Sequence, residues 1–215
     1  MESITLKRLL PRVFRSSQVG SSGVWLQESV QFSRGCRVCV NAESGAGKSS
    51  LLNFVYGART DYDGSIFFDS KSARSLSRAE WCDVRRRSLA YLPQEMRLFP
   101  ELTVMENIHI KNRLTSHKSE QQILEMLDLL QVAHKADILA GKLSVGQQQR
   151  VAIVRALCQP FDFLLLDEPV SHLDRQNNLT AAQLVEREAA ACGAGIITTS
   201  VGNPLLLKSP SIVVL

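Results

Sequence analysis

Residues 42–49, Ala42-Glu43-Ser44-Gly45-Ala46-Gly47-Lys48-Ser49, decide the fold of this chain. The preceding residues, 37–41, are rich in valine and predict a strand, and residues 50–56 form an apolar helical pattern that ends at Gly57. A glycine-rich turn that joins a strand to a helix and closes on Lys-Ser is the context of a phosphate-binding loop. The alternative is an ordinary strand-to-helix turn that carries Gly-Lys-Ser by chance.

This loop supplies the groups that bind phosphate and its metal ion. Gly45 and Gly47 let the backbone curl so that several N–H groups face inward, and the positive end of the helix dipole adds to them. Lys48 supplies a charge for the β- and γ-phosphates, and the Ser49 hydroxyl is a ligand for Mg²⁺. The usual pattern has glycine where this chain has Ala42, which costs about 1 kcal/mol if that residue needs a positive φ. The predicted nucleotide-binding residues of this stretch are Glu43, Ser44, Gly45, Ala46, Gly47, Lys48, Ser49 and Ser50.

Length and composition predict one compact α/β domain spanning residues 1–215, with a subdomain inside it. Hydrophobic residues make up 45% of the chain, and 25 Lys and Arg against 21 Asp and Glu leave a net charge of +4, too small an excess to indicate a nucleic-acid partner. Five cysteines without regular spacing indicate reduced thiols and a cytoplasmic protein, and Cys36 and Cys39 lack the second pair that a metal site needs. No apolar run reaches the roughly 18 residues of a membrane span.

Two further predicted strands end in polar residues. Residues 163–166 are wholly apolar, as in a strand buried on both faces, and Asp167-Glu168 follows them; residues 88–92 lead in the same way to Gln94. Since ligands bind at the carboxyl ends of parallel strands, we expect these polar side chains beside the phosphate-binding loop. There Asp167 can hold Mg²⁺ through water, and Glu168 can polarise a water for attack on a γ-phosphate.

Local patterns predict the elements between these motifs. Ser144 and Gln147 form a capping box that opens a helix running to about Cys158. A second capping box at residues 77–80 opens a helix that runs to about Arg87. Residues 24–26, Val-Trp-Leu, predict a short strand.

Taken in order, these motifs resemble the nucleotide-binding domain of ABC (ATP-binding cassette) ATPases. Residues 42–49 are similar to the Walker A loop, residues 91–94 to the Q-loop, and residues 143–147 to the signature L-S-G-G-Q. Residues 163–168 are similar to the Walker B strand with its catalytic glutamate, and residues 171–174 to the D-loop. The resemblance implies a P-loop NTPase fold with a RecA-like core, an N-terminal antiparallel β-subdomain and a helical subdomain over about residues 95–160.

The resemblance also implies roles for particular residues. Glu168, Lys48, Gln94 and Ser200 would be catalytic, and Ser49, Gln94 and Asp167 would hold Mg²⁺. Phe14 would stack on the adenine of ATP. In the family two cassettes face each other head to tail, so the signature residues would complete the partner's nucleotide site. Those residues are Leu143, Ser144, Val145, Gly146 and Gln147.

A subfamily is suggested by residues 77–108, which are similar to the ATPases of lipoprotein-releasing, macrolide-exporting and cell-division-type systems. The resemblance implies an ATP-binding and ATP-hydrolysing subunit that works with a second cassette, identical or different, and with a separate membrane permease. It implies a cytoplasmic protein on the inner face of the cell membrane.

Three positions depart from the family pattern. Ala42 replaces the first Walker A glycine, Val145 replaces the first signature glycine, and Ser200 takes the place of the switch histidine. Serine donates one hydrogen bond but is shorter than histidine and carries no charge. The alternative function is therefore a regulatory cassette that binds ATP and hydrolyses little, or the partner of an intact cassette in a heterodimer. A soluble cassette protein that acts on nucleic acid ranks last, because this chain has a single cassette.

Overall fold

Two β-sheets organise the chain in a computed structural model, which describes residues 1–16 and 22–215. The first sheet has four antiparallel strands in the order β2-β1-β4-β5. The second has five parallel strands in the order β6-β7-β8-β3-β9. The strands are β1 (Ser3–Pro11), β2 (Val30–Ser33), β3 (Arg37–Asn41), β4 (Tyr62–Phe68), β5 (Lys71–Ser72), β6 (Leu89–Leu92), β7 (Phe163–Asp167), β8 (Gly195–Ser200) and β9 (Ser211–Val214).

Helices cover both faces of the parallel sheet and fill the segment between β6 and β7. Capping boxes open α2, α3, α4 and α5, as the sequence predicts for α2 at residues 77–80 and for α5 at residues 144–147. The helical subdomain predicted over about residues 95–160 contains α3, α4 and α5. The helices are α1 (Lys48–Val55), α2 (Arg78–Arg87), α3 (Val104–Asn112), α4 (Glu120–Leu129), α5 (Val145–Leu157) and α6 (Arg175–Cys192).

Strand β7 lies between two apolar clusters. Its Leu164 and Leu166 pack with α5 and α6, whereas its Phe163 and Leu165 pack with α1 and the antiparallel sheet. Burial on both faces explains why the strand is a continuous apolar run rather than an alternating one. All five strands point the same way, so the segments after β3, β6, β7 and β8 meet at one edge of the sheet.

Residues 24–26 do not form the predicted strand. They lie in a turn in which the Ser22 hydroxyl accepts hydrogen bonds from the N–H groups of Val24 and Trp25, at 3.1 and 2.8 Å. Leu26 follows in the left-handed region, with φ of +61°. A hydroxyl that satisfies two successive N–H groups competes with strand pairing, and this local chemistry overrides the strand preference of Val and Trp.

Within residues 1–16 and 22–215, no helix combines the length and the apolarity needed to cross a bilayer.

Candidate active site

The phosphate-binding loop runs from the end of β3 to the first turn of α1. Gly45 and Gly47 adopt φ values of +84° and +94°, which residues with side chains rarely accept. Gly47 is also crowded, because a Cβ there would lie 3.0 Å from the Trp25 ring and 3.1 Å from the Phe14 ring. Backbone freedom and close approach therefore both require glycine at position 47.

Lys48 is 5% exposed and lies across the loop. Its ammonium donates to the carbonyl oxygens of Ala42 and Glu43, at 2.9 and 2.8 Å. The same nitrogen lies 4.0 Å from Oε1 of Glu168, which belongs to a different strand end. A buried cation thus connects the beginning of the loop with the end of β7.

One pocket joins three of the predicted motifs. Gln94 from the segment after β6 and Glu168 from the end of β7 face the phosphate-binding loop across a cavity of about 220 Å³. Glu43 and Ala46, also predicted to bind nucleotide, line a neighbouring cavity instead. The pocket is lined by Ser44, Gly45, Gly47, Lys48, Ser49, Ser50, Gln94 and Glu168.

Asp167 lies at the end of β7 and is 2% exposed. Its Oδ1 accepts a hydrogen bond from the Thr199 hydroxyl at 2.7 Å. Burial raises the pKa of this carboxyl group, and hydrogen bonds from Thr199 and Ser49 oppose that shift. The link to Ser49 puts a carboxylate and a hydroxyl together beside the phosphate-binding loop, and oxygen donors of this kind suit Mg²⁺.

Glu168 is held by its backbone in an unusual conformation, with φ of +48°. Its N–H donates to the Thr199 hydroxyl at 3.0 Å, and its carbonyl accepts from the Gln149 side chain at 3.2 Å. The same Gln149 amide accepts from the N–H of His172 in the D-loop, at 3.0 Å. A strained residue that its neighbours hold on both sides is typical of a functional site.

Thr199 and Gln149 were not among the residues that the sequence singles out. Thr199 directly precedes Ser200 on β8, and Gln149 lies in the helix that the signature opens. Gln149 is 2% exposed, and a polar side chain at a core position of a helix is the signal that could have found it. Nothing in the residue type or spacing of Thr199 marks it, because buried threonine is common in strands.

Ser200, predicted to be catalytic, lies at the end of β8 with 1% of its surface exposed. Its hydroxyl has no hydrogen-bond partner among the described residues. The side chain lines a cavity with Asn41, Leu205 and Leu207, away from the phosphate pocket. Successive residues of a strand face opposite sides of the sheet, so Thr199 points toward Asp167 and Ser200 points to the other face.

The signature residues form the N-terminus of α5. The Ser144 hydroxyl accepts from the N–H of Gln147 at 3.3 Å, and the Gln147 side chain accepts from the N–H of Ser144 at 3.0 Å. Leu143 is buried, whereas Val145 is 47% exposed. A Cβ on Gly146 would lie 3.1 Å from the carbonyl oxygen of His172, so the D-loop packs closely against this helix start.

Phe14 lies in a single 3-10 turn, residues 12–14, directly after β1. Its half-buried ring contacts the Gly47 position, which puts an aromatic side chain at the rim of the loop. Its contact with adenine stays a prediction.

Comparison with known proteins gives the family of the chain. The family model described as ABC transporter matches residues 27–171. The lipoprotein-releasing system ATP-binding protein LolD of Koribacter versatilis is 33% identical over 183 residues, which cover 83% of this chain and 81% of that protein. The macrolide export ATP-binding/permease protein MacB of Campylobacter jejuni is 30% identical over 172 residues, and these cover 79% of this chain but 27% of that protein. The chain therefore spans only about a quarter of the length of MacB.

Solved structures share the fold. The dimeric structure of MJ0796, a bacterial ABC transporter cassette, superposes with a TM-score of 0.76 and 24% identity, covering 92% of this chain and 87% of that one. A bacterial exporter of the Atm1 family with ATP bound gives a TM-score of 0.78 at 24% identity, with 100% of this chain covered and 37% of that one. With the phosphate-binding loop, the Asp167-Glu168 strand end and the signature helix in the order of the family, this chain belongs to the ABC transporter family and has the fold of its ATP-binding cassettes.

Proposed function

We propose that this chain binds and hydrolyses ATP as the ATPase subunit of an ABC transporter, and that closure of a cassette pair drives work by a separate membrane permease. The observation that carries the proposal is the approach of Glu168 to within 4.0 Å of Lys48 across a pocket lined by the phosphate-binding loop. The Glu168 carboxylate, the buried Lys48 ammonium and the backbone N–H groups of the loop would then surround the position of a γ-phosphate.

The loop binds the nucleotide through charge and backbone donors. Gly45 and Gly47 allow the N–H groups to point inward, and α1 presents its positive end to the phosphates. Lys48 is already desolvated, so its interaction with a phosphate is stronger than that of an exposed lysine. The carbonyls of Ala42 and Glu43 hold its ammonium beside the pocket until a phosphate oxygen takes their place.

Mg²⁺ fits the residues at this position. Ser49 and Gln94 offer neutral oxygen atoms from two sides of the pocket, and Asp167 offers a carboxylate beside Ser49. When bound, the ion neutralises charge that develops on the β- and γ-phosphates.

Glu168 acts as the general base. Its carboxylate accepts a proton from a water molecule as the water oxygen attacks the γ-phosphorus, the bond to the bridging oxygen breaks, and ADP and phosphate result. Thr199 and Gln149 fix the backbone on both sides of Glu168, which keeps the carboxylate aimed into the pocket.

A second cassette would complete the site. The N-terminus of α5 carries Ser144, Val145 and Gly146 at the surface, where a helix start can donate N–H groups to a phosphate held by another molecule. LolD is named as the ATP-binding protein of a lipoprotein-releasing system, and MacB as an ATP-binding/permease protein. We therefore propose the arrangement that the name of LolD indicates, with this chain as an ATP-binding protein that works with a separate permease at the cytoplasmic face of the cell membrane.

The groove between α2 and α3 is the surface that we propose for the permease. It has a volume of about 560 Å³, with apolar surface from Ala79 and Leu114. Its charged residues are three cations, Arg85, Arg86 and Lys111, and one acid, Asp83, which pairs with Arg86 at 2.8 Å, so the net charge of the groove is positive. An amphipathic cytoplasmic helix of the permease that carries acidic residues complements this surface. The test is Arg86→Glu, which we expect to abolish stimulation by the permease while basal turnover stays within twofold. Equal stimulation of the native and substituted chains would rule out this groove.

The decisive experiment for the ATPase is steady-state release of phosphate from Mg·ATP by the purified chain, with Glu168→Gln as the blank. ATP affinity is measured separately by calorimetry, with Lys48→Ala as the control that loses the phosphate-binding cation. We expect turnover above the blank and a large loss of affinity in Lys48→Ala. Binding without turnover would favour the alternative, a regulatory cassette or half of a heterodimer, and absence of binding would overturn the proposal.

A further inference from the structure

Trp25 contacts the phosphate-binding loop at Ala46 and Gly47, although it lies outside every motif described above. The residue is 4% exposed, and its indole N–H donates to the carbonyl oxygen of Ala46 at 3.1 Å. The benzene part of the same indole lies 3.0 Å from the position that a Cβ on Gly47 would occupy. One side chain therefore both hydrogen-bonds and packs against a single peptide group, the one between Ala46 and Gly47.

The geometry of that peptide group gives the contact a consequence for phosphate binding. A peptide bond is planar and trans, so its C=O and its N–H point in opposite directions. Neither Trp25 nor Ala46 lines the phosphate pocket, so the Ala46 carbonyl that the indole holds points away from it. The N–H of Gly47 is thereby turned the other way, toward the pocket that Gly47 lines.

The loop just before this peptide group is held only weakly, so the indole matters. The N–H of Ala46, which belongs to the preceding peptide group, reaches the carbonyl of Glu43 only over 3.4 Å, at the long end of hydrogen bonding. Gly45, next to Ala46, is exposed and has a positive φ, so it can rotate easily. Trp25 itself is fixed, because its backbone N–H donates to the buried Ser22 hydroxyl at 2.8 Å and its side chain is buried.

We propose that Trp25 is a positioning residue of the nucleotide site, whose indole N–H aims the Gly47 N–H at the phosphates of the bound nucleotide. The inference rests on the proposed function, since it concerns the same loop and the same ligand. Phe14 packs on Gly47 from the same region but has no polar group, so it cannot orient the peptide in this way.

The test is Trp25→Phe, which keeps most of the ring packing and removes the N–H donor. One hydrogen bond of ordinary strength corresponds to about a two- to ten-fold change in dissociation constant. We expect that loss for Mg·ATP and for Mg·ADP alike, because the loop cradles the α- and β-phosphates that both nucleotides carry. Trp81→Phe is the matched control: Trp81 packs against Phe68 and Arg85, outside the phosphate pocket, and its substitution is expected to leave both constants unchanged.

Calorimetry is run at a temperature well below the melting temperature of each variant, so that a purely structural role of Trp25 would lower the melting temperature and leave the dissociation constants alone. Unchanged constants in Trp25→Phe, with normal binding by the native chain, would overturn this inference and leave the proposed function intact. Failure of the native chain to bind either nucleotide would overturn both.

A second measurement needs no substitution at Trp25 and covers the case in which Trp25→Phe does not fold. The chain is labelled with ¹⁵N at its two tryptophans, and Trp81→Phe assigns the remaining indole resonance to Trp25. We expect the Trp25 indole N–H resonance to shift when Mg·ADP saturates the native chain, and the Trp81 resonance to stay in place. No shift at Trp25 in a saturated sample would show that the indole is not coupled to the loop.

Discussion

The Thr199 hydroxyl donates to Oδ1 of Asp167 over 2.7 Å and so links the end of β8 to the end of β7. The oxygen of the Thr199 hydroxyl also accepts a hydrogen bond from the N–H of Glu168, at 3.0 Å. A single hydroxyl group thus orients the carboxylate that we assign to Mg²⁺ and the backbone of the residue that we assign as the base.

Removal of this hydroxyl tests whether the linkage matters for catalysis. Thr199→Val keeps the shape of the side chain and leaves a buried carboxylate oxygen and a backbone N–H without a partner, which costs about 1–3 kcal/mol of stability for each unsatisfied group. We expect turnover to fall about ten-fold and the KM for ATP to change little, because the phosphate-binding loop is untouched. The measurement is steady-state phosphate release over a range of ATP concentrations.

Thr198→Val is the matched control for this substitution. Thr198 is also fully buried on β8, but in the part of the chain that the structure describes its hydroxyl reaches only the carbonyl of Thr199, at 3.5 Å. We expect turnover within twofold of the native chain. Equal losses in the two variants would show that the strand, rather than the Thr199 hydroxyl, supports the site.

The raised pKa of Asp167 makes stability depend on pH. Burial disfavours the charged form, so the folded chain binds the proton more tightly than the unfolded chain does. The resulting cost to stability is absent below the unfolded pKa, near 3.8, and grows until the pH exceeds the raised folded pKa. Asp167→Asn removes the charge and should therefore be more stable than the native chain at neutral pH, with the difference vanishing as the pH falls toward 3.8.

This difference is measured by urea unfolding of both chains at several pH values, in chelator and without nucleotide. Asp137→Asn, which removes an exposed carboxylate, is the control. A stability difference between Asp167→Asn and the native chain that is the same at every pH would contradict the assignment of the effect to burial of this charge.

The resemblance implies a catalytic role for Ser200, whereas its side chain lines a cavity other than the phosphate pocket. Substitution of Ser200 tests that role directly. The Ser200 hydroxyl is buried, has no hydrogen-bond partner within residues 1–16 and 22–215, and lies on the face of the sheet opposite to Thr199, so Ser200→Ala should leave turnover within twofold. Loss of an unsatisfied buried hydroxyl should keep or raise the free energy of unfolding, by up to about 1 kcal/mol. A drop in turnover of ten-fold or more, with the fold intact, would restore the catalytic role that the sequence predicts.

The sequence predicts the parts of this molecule that depend on local pattern. The glycine-rich loop, the apolar run before Asp167 and the capping box at Ser144 each fix an element and its position within a few residues. The meeting of Gln94, Glu168 and Lys48 also follows, because the ends of parallel strands share one edge.

What the sequence does not reveal depends on side chains that meet only in the folded chain. Trp25 predicts a strand by residue type, yet the Ser22 hydroxyl turns the backbone there and delivers the indole to the loop. The direction of Ser200 depends on the strand register that pairs it with Asn41, and similarity at that position does not show which face its hydroxyl takes.

Substitution of Val145 tests whether this side chain impairs the cassette or is suited to its partner. Its side chain is 47% exposed in the first turn of α5, at the helix start that we propose faces the other cassette's phosphates. A branched side chain there keeps the N–H groups away from a phosphate that glycine would let approach. We therefore expect Val145→Gly to raise turnover several-fold, despite a cost of up to about 1 kcal/mol in helix stability.

The graded series valine, alanine, glycine at position 145 is measured for turnover in the otherwise native chain and for ATP-dependent dimerisation with Glu168→Gln as background. Steric crowding predicts that turnover and the dimer fraction rise together as the side chain shrinks. If both stay level or fall along the series, Val145 does not obstruct closure, and the helix start of α5 either binds its partner differently or faces no partner phosphate at all.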